Sequence, residues 1–252
     1  MNHETMQHFT SGPWIVIMSY VVSVVGSLIG LSCMARARHE QAEGAKVVWT
    51  VLAAFSIGGV GIWLMHFVAM LEFHPGATSY FSAPLTALSA LLAVTVMGGA
   101  LAMITLTPFS RTKLLVAGAV AGLGVAGMHY LGMAAVSFKG TLSYNPLLVV
   151  LSVLIAIAAA TAALWFTVVV RTASACVAAG LVMGLAVSGM HHTGMAAASV
   201  ELNATLPEPT GSDVFSLVFP AFVVSGLIVS VVLWRLFTSE NFTFGERARV
   251  VR

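Results

Sequence analysis

The sequence predicts an all-α membrane protein, a bundle of seven transmembrane helices with its N-terminus outside and its C-terminus in the cytoplasm. Three observations carry that prediction. Of 252 residues, 59% are hydrophobic and only 8% are charged, whereas a soluble domain carries roughly 25% charged residues. Seven apolar stretches each reach the length of about 20 residues that a helix needs to cross a hydrocarbon core of about 30 Å. One short motif recurs three times. The mean hydropathy of +0.98 leaves too little polar surface for a soluble enzyme or a nucleic-acid-binding protein, and it excludes a disordered chain.

The apolar stretches cover residues 13–34, 46–71, 83–106, 113–137, 146–170, 174–199 and 214–237. Each is continuously apolar rather than alternating with period two, which excludes a β-barrel. Every backbone polar group in lipid must be satisfied internally, so helices remain. Residues 1–12 are expected as an extracytoplasmic tail and 238–252 as a short basic cytoplasmic tail, flanking a membrane domain at 13–237.

Orientation follows from the basic residues. Arg36, Arg38 and Lys46 flank the first connection, Arg111 and Lys113 the third and Arg171 the fifth, while Arg235, Arg247, Arg249 and Arg252 follow the last helix. Lys139 alone lies on the other side, with Glu4, Glu72, Glu201, Glu208 and Asp213. The positive-inside rule then gives a multi-pass protein of the inner (plasma) membrane. The first stretch is not read as a cleaved signal, because residues 1–12 hold no Lys or Arg and the basic cluster follows it. Cys33 and Cys176 fall at cytoplasmic helix ends, where thiols stay reduced. Trp14, Trp49, Trp63, Trp165 and Trp234 lie mostly near predicted helix ends, as interface anchors do.

The repeated motif reads GIWLMHFVAM at 61–70, GVAGMHYLGM at 124–133 and LAVSGMHHTGM at 185–195. Its common core is Met-His-x-x-(Gly/Ala)-Met. The motif histidines are His66, His129 and His191, almost evenly spaced along the chain. Each repeat holds two helices, so the second, fourth and sixth helices run the same way and bring their histidines to one depth. Each His is expected roughly 5–8 residues before its helix end, about 8–12 Å deep. At 100° per residue, a His and the Met four residues later lie about 40° apart, so His66, Met70, His129, Met133, His191 and Met195 can face one interior. Met65, Met128 and Met190 are turned roughly 140° from those methionines and need a second site or a distorted helix to join them. Glycines 58, 59, 61, 122, 124, 127, 132, 184, 189 and 194 crowd the motif helices, and small residues let membrane helices approach closely.

Soft thioethers with borderline imidazoles form a donor set suited to copper, Cu(I) above all. Histidine inside a membrane is a functional candidate by default. Neither residue is anionic, and Glu72, just past the first motif, can offset part of a bound cation's charge. The expected metal set is therefore His66, Met70, His129, Met133, His191 and Met195, with Met65, Met128 and Met190 as further candidates. Packing without any ligand is the plain alternative for these motifs. In the N-terminal tail, the amine, Asn2 and His3 offer a separate copper-binding possibility; His8 and His74 also lie on the outer side.

The sequence resembles the MHYT domain, a bacterial seven-helix membrane module named for Met-His-Tyr-Thr motifs near the outer ends of three helices. The likeness covers about residues 13–237. It implies copper bound through the Met and His residues, sensing of a diatomic gas (O2, CO or NO), and signalling to cyclic-di-GMP or kinase domains. None of the three motifs here spells the full name, since they read Met-His-Phe-Val, Met-His-Tyr-Leu and Met-His-His-Thr. Only the short tail at 238–252 follows the last helix, so the expectation is a stand-alone form that signals through a separate cytoplasmic partner.

Two other functions compete with a sensor in the lipid bilayer. A copper-handling or transport protein would need ligands continuing inward, where the motif helices offer mainly Ser56, Ser174, Cys176, Met183 and Ser188. A membrane electron carrier would use two of the histidines as axial haem ligands. Catalysis is not expected: the chain holds no HExxH, no nucleophile elbow and no carboxylate pair within a helix. Retinal binding is excluded in its usual form, because Lys46, Lys113 and Lys139 lie at or beyond helix ends.

Overall fold

A computed structural model describes residues 13–238; the tail residues on either side, with His3, His8, Arg247, Arg249 and Arg252, lie outside them. Seven helices are long and apolar enough to span a membrane: α1 (Trp14–His39), α2 (Glu43–Met70), α3 (Ala83–Thr105), α4 (Arg111–Ala134), α5 (Pro146–Val169), α6 (Ala173–Ala197) and α7 (Val214–Thr238). The protein is thus an all-helical, multi-pass membrane protein. Large apolar side chains stand on the outside of the bundle, among them Leu147 at 76% and Phe219 at 72% exposure. That is the surface a helix offers to lipid.

Helix starts follow the local chemistry. Ser110, Asn145 and Thr172 cap α4, α5 and α6 by accepting from the backbone N–H groups of Lys113, Leu147 with Leu148, and Ala175. Those groups would otherwise be unpaired donors of the first turn. Pro146 occupies the first position of α5, where its missing N–H costs nothing.

Two departures from the expected helices matter. Helix α1 runs to His39 rather than 34, so Arg36 and Arg38 belong to it instead of to a loop. The Arg38 guanidinium reaches α5 and donates to the carbonyls of Thr167 and Val170, the latter at 2.7 Å. Carbonyls at a helix C-terminus lack intrahelical partners and carry negative partial charge, so a cation suits them. Helix α2 is π-helical over Phe55–Leu64, immediately before the first motif. Long π-helical runs are rare, and the apolar composition of this stretch reads the same in either helix type.

Helices α1 to α6 form a closed ring in chain order, with α6 returning to α1, while α7 packs outside against α1 and α2. The three motif helices α2, α4 and α6 meet one another at the centre. Close approach between neighbours depends on glycine. A Cβ on Gly122 would stand 2.4 Å from the Ile157 Cα of α5, and one on Gly26 would stand 2.4 Å from the Gly61 backbone nitrogen of α2. Not every motif-helix glycine works this way: Gly189 meets nothing within 4 Å, and Gly127 only the tip of Leu92.

At the motif end, the connections form short strands that a purely helical reading does not anticipate. Strand β1 (Tyr80–Phe81) pairs with β2 (Val136–Ser137), and β3 (Gly140–Tyr144) with β4 (Ala198–Leu202), both antiparallel. A bridge between Phe81 and Ser212 closes the circuit. The three motif-end connections are therefore tied to one another as a lid over the ring. Trp49 and Trp63 are not interface anchors: Trp49 is buried, and the Trp63 indole donates to the Ser89 hydroxyl at 3.0 Å. Cys33 and Cys176 are buried free thiols.

Replacing Gly122 with Val should lower stability by about 1–3 kcal/mol, the usual cost of overpacking. Gly99, with nothing within 4 Å of a built Cβ, should accept Ala silently. Thermal unfolding of both variants in detergent checks the contrast.

Candidate metal centre

The depth expected for the motif histidines is slightly too large. Helices α2, α4 and α6 end at Met70, Ala134 and Ala197, because the following residues turn into the lid. His66, His129 and His191 consequently sit one to two turns from the helix ends, directly beneath it.

All three side chains are buried, at 1%, 0% and 2% exposure. Their ring centroids form a near-equilateral triangle with sides of 5.0, 5.0 and 5.1 Å, each pair edge to face. The Nδ1 atoms turn inward: His66 to His191 is 3.0 Å and His129 to His66 is 3.3 Å. Among the described residues this is the group of three or more metal-ligating side chains whose donor atoms lie within 4.8 Å of one another.

The outward-facing nitrogens explain a motif position. His66 Nε2 lies 2.4 Å from where a Cβ on Gly132 of α4 would stand, and His129 Nε2 stands 2.4 Å from the corresponding point on Gly194 of α6. Gly132 and Gly194 are the third residue after their own histidines, so each glycine is a socket for the ring of the preceding repeat. Repeat one carries Ala69 at the equivalent position. Sequence reading assigns these glycines to helix approach in general; the cross-repeat pairing is visible only in three dimensions.

This arrangement is under-satisfied by protein alone. The single Nδ1 of His66 faces two other Nδ1 atoms, and one nitrogen cannot make a good N–H···N bond to both. His66 Nε2 and His129 Nε2 are buried with no hydrogen-bond partner, and an unpaired buried polar atom costs free energy. With each proton on Nε2, three lone pairs converge on one point.

The methionines form two layers around the triangle. Met70 and Met133 are buried beneath the lid with Phe67, Phe81, Val136 and Phe138, and half-buried Met195 packs against them. Met128 and Met190 belong to the central core with Met97 and Met183; Met65 is equally buried at 1% exposure. Below the triangle, Ser27, Met97, Met183 and Met190 line part of a cavity of about 20 Å³. The residue after each histidine differs between repeats. Tyr130 hydrogen-bonds the Ser152 hydroxyl at 2.7 Å and stands edge-on to Tyr144 at 5.6 Å. Burial first, then the Tyr130 phenol, push the Tyr144 hydroxyl above its ordinary pKa, keeping it a neutral group.

Fold and site together define a seven-helix membrane protein whose three repeats meet at a buried histidine triangle. The family model described as a bacterial signalling protein N-terminal repeat, MHYT, matches residues 59–117 and 122–180. The chain belongs to this MHYT family of membrane signalling proteins; its third copy of the motif begins beyond both matched segments. It is 37% identical over 195 residues to the bifunctional diguanylate cyclase/cyclic di-GMP phosphodiesterase MucR of Pseudomonas aeruginosa, covering 75% of this chain and 28% of that protein. It is 32% identical over 244 residues to the cyclic di-GMP phosphodiesterase NbdA of the same organism, covering 94% of this chain and 31% of that one. The signaling protein YkoW of Bacillus subtilis is 30% identical over 209 residues, 79% of this chain and 26% of its own length. The chain thus spans less than a third of these curated relatives, two of which are cyclic di-GMP enzymes by name. No solved structure matches the chain.

Gly132→Ala should push the His66 ring out of its socket and cost about 1–3 kcal/mol. In ¹⁵N-histidine NMR spectra, the His66 ring signals should move most, and Gly189→Ala should leave all three rings in place.

Proposed function

We propose that this chain is the sensor module of a signalling system, holding a copper ion at the inner corner of the histidine triangle. The observation that carries this reading is the convergence of three Nδ1 atoms. Imidazole binds first-row cations at roughly 2.0–2.1 Å, which in trigonal or tetrahedral geometry puts donor nitrogens about 3.3–3.6 Å apart. The contacts of 3.0 and 3.3 Å need to open by only tenths of an ångström. One cation would satisfy three lone pairs that the protein leaves facing each other.

His66, His129 and His191 would hold the ion. Met70, Met133 and Met195 on the lid side, and Met65, Met128 and Met190 on the core side, would supply thioether contacts and a soft, low-dielectric shell. That donor chemistry favours copper over harder ions. Bound there, copper supplies a one-electron couple and a coordination position for a diatomic gas such as O2, CO or NO. The protein's own part is to hold three rings with their lone pairs inward, exclude water through the lid and connect the triangle to α2, α4 and α6. Those helices run to the end that carries Arg36, Arg38, Lys46, Arg111, Lys113 and Arg171, which the positive-inside rule makes cytoplasmic. A shift in their packing would reach a cytoplasmic signalling partner, and the named activities of MucR and NbdA make cyclic di-GMP turnover the output we favour.

The close-packed imidazoles support a bare ion over a haem, whose macrocycle must fit between two axial ligands. Copper transport has less support, since the cavity below the triangle is lined by Ser27, Met97, Met183 and Met190 and otherwise by Ile, Val and Ala side chains.

Elemental analysis of detergent-purified protein is the test. Wild type should carry one copper per triangle after anaerobic loading, and folded His129→Ala should lose it. Met133→Leu should weaken Cu(I) more than Cu(II), because thioether sulfur is soft. Equal copper in wild type and folded His129→Ala would return the motifs to helix packing.

A further inference from the structure

Protein interiors are close-packed and hold few voids as large as a water molecule, yet a cavity of about 20 Å³ lies in the middle of this bundle. The repeats themselves place it. Ile62, Val125 and Val187 all line the cavity, and each stands four residues before a triangle histidine, His66, His129 and His191 in turn. Four residues advance a helix by about 6 Å. These three side chains are therefore the layer next to the rings, and the cavity lies on the axis of the triangle.

The π-helical segment of α2 borders the same space. Ile57 and Ile62 both line the cavity and both belong to Phe55–Leu64. On an α-helix, positions five apart point about 140° away from each other. The wider π turn, which bonds residue i to i+5, brings them to one side. The unusual helix form thus turns two α2 side chains toward the void. Helix α5 contributes Ala156, Ala159, Ala160 and Ala163, and none of these reaches beyond its Cβ. Ala159 of α5 and Val187 of α6 line the cavity and are also partly exposed, and these two helices are neighbours in the ring. Their seam is the thin side of the wall toward lipid.

The volume is room for one molecule of about the size of water, but water needs two to four polar partners. The lining offers the Ser27 hydroxyl and the thioethers of Met97, Met183 and Met190, which are weak acceptors. The rest is Ile, Val and Ala. An ion would give up its hydration for donors that carry no charge. We propose that this cavity is a docking site for one uncharged diatomic molecule, with O2 as the type, taken up from the bilayer along the α5–α6 seam and held beneath the histidine triangle. The inference deepens the sensor reading by giving the ligand's docking place and its side of approach, and it rests on that reading only for its purpose. Ile62, Val125 and Val187 then stand between the docked molecule and the rings. The lid need not open for the ligand to arrive.

O2 is the probe, because it is paramagnetic and speeds the relaxation of nuclei beside it. The full chain, metal-free and labelled with ¹³C-methyl methionine, is placed in lipid nanodiscs and its methyl relaxation compared under O2 and under N2. Met65 and Met128 are the internal controls: they occupy the position of Met190 in the other two repeats and are as deeply buried at 1% exposure, but they do not line the cavity. The expected result is a severalfold larger O2 effect at Met97, Met183 and Met190 than at Met65 and Met128. Ala160→Val, which fills the cavity, should bring the three down to the level of the controls. Ala159→Val at the partly exposed wall position should do the same and gives a second variant that disturbs the core less. Equal O2 effects at all five methyls in the wild type would overturn the docking site, as would magnetisation transfer from water to the Met97 and Met183 methyls. An O2 effect that survives in folded Ala159→Val and Ala160→Val would overturn it too. Because no metal is present, none of these outcomes depends on whether the triangle holds copper, and loss of copper in His129→Ala remains the separate test of that reading.

Discussion

Three imidazoles pressed together at their Nδ1 atoms are the constraint around which this molecule is arranged. Bringing uncharged but strongly polar rings into the interior of a membrane bundle is costly unless their nitrogens are satisfied, and three helices must contribute one ring each. That requirement fixes the parallel direction of α2, α4 and α6 and their meeting at the centre of the ring. It also fixes the residue three places after the second and third histidines. Gly132 and Gly194 leave room for His66 and His129, so each of these repeats completes the site of the one before it. No single repeat can build the triangle.

The lid obeys the same cyclic logic. Strands β1 and β2 tie the first motif-end connection to the second, β3 and β4 tie the second to the third, and the Phe81–Ser212 bridge ties the first to the third. These backbone contacts sit directly above the rings and bury Phe67, Phe81, Val136 and Phe138 with Met70 and Met133. The histidines are therefore enclosed by peptide hydrogen bonds on one side and by methionine-rich core on the other.

The repeats are related but not equal, and the differences gather on repeat one and repeat three. Repeat one carries the π-helical segment and Ala69 in place of the socket glycine. Repeat three carries His192 where repeat two has the hydroxyl of Tyr130. A threefold packing motif has no need of such differences.

Hydropathy and basic-residue placement are enough to read seven spanning helices, and most ends agree within a few residues, because lipid admits little but a long apolar helix. The near-equal spacing of His66, His129 and His191 is enough to put them at one depth, since parallel helices of similar length convert spacing into height. Periodicity also puts each His and its following Met on adjacent faces. The direction of the rings is beyond its reach. Nδ1 points inward, and the Nε2 of His66 and His129 points toward a glycine of the next repeat, because of contacts between helices distant in the chain that no local pattern encodes. The extension of α1 past Arg38, the π-helical turn of α2 and the strands of the lid are likewise decided by tertiary packing, where satisfying backbone carbonyls and filling space outweigh local preference.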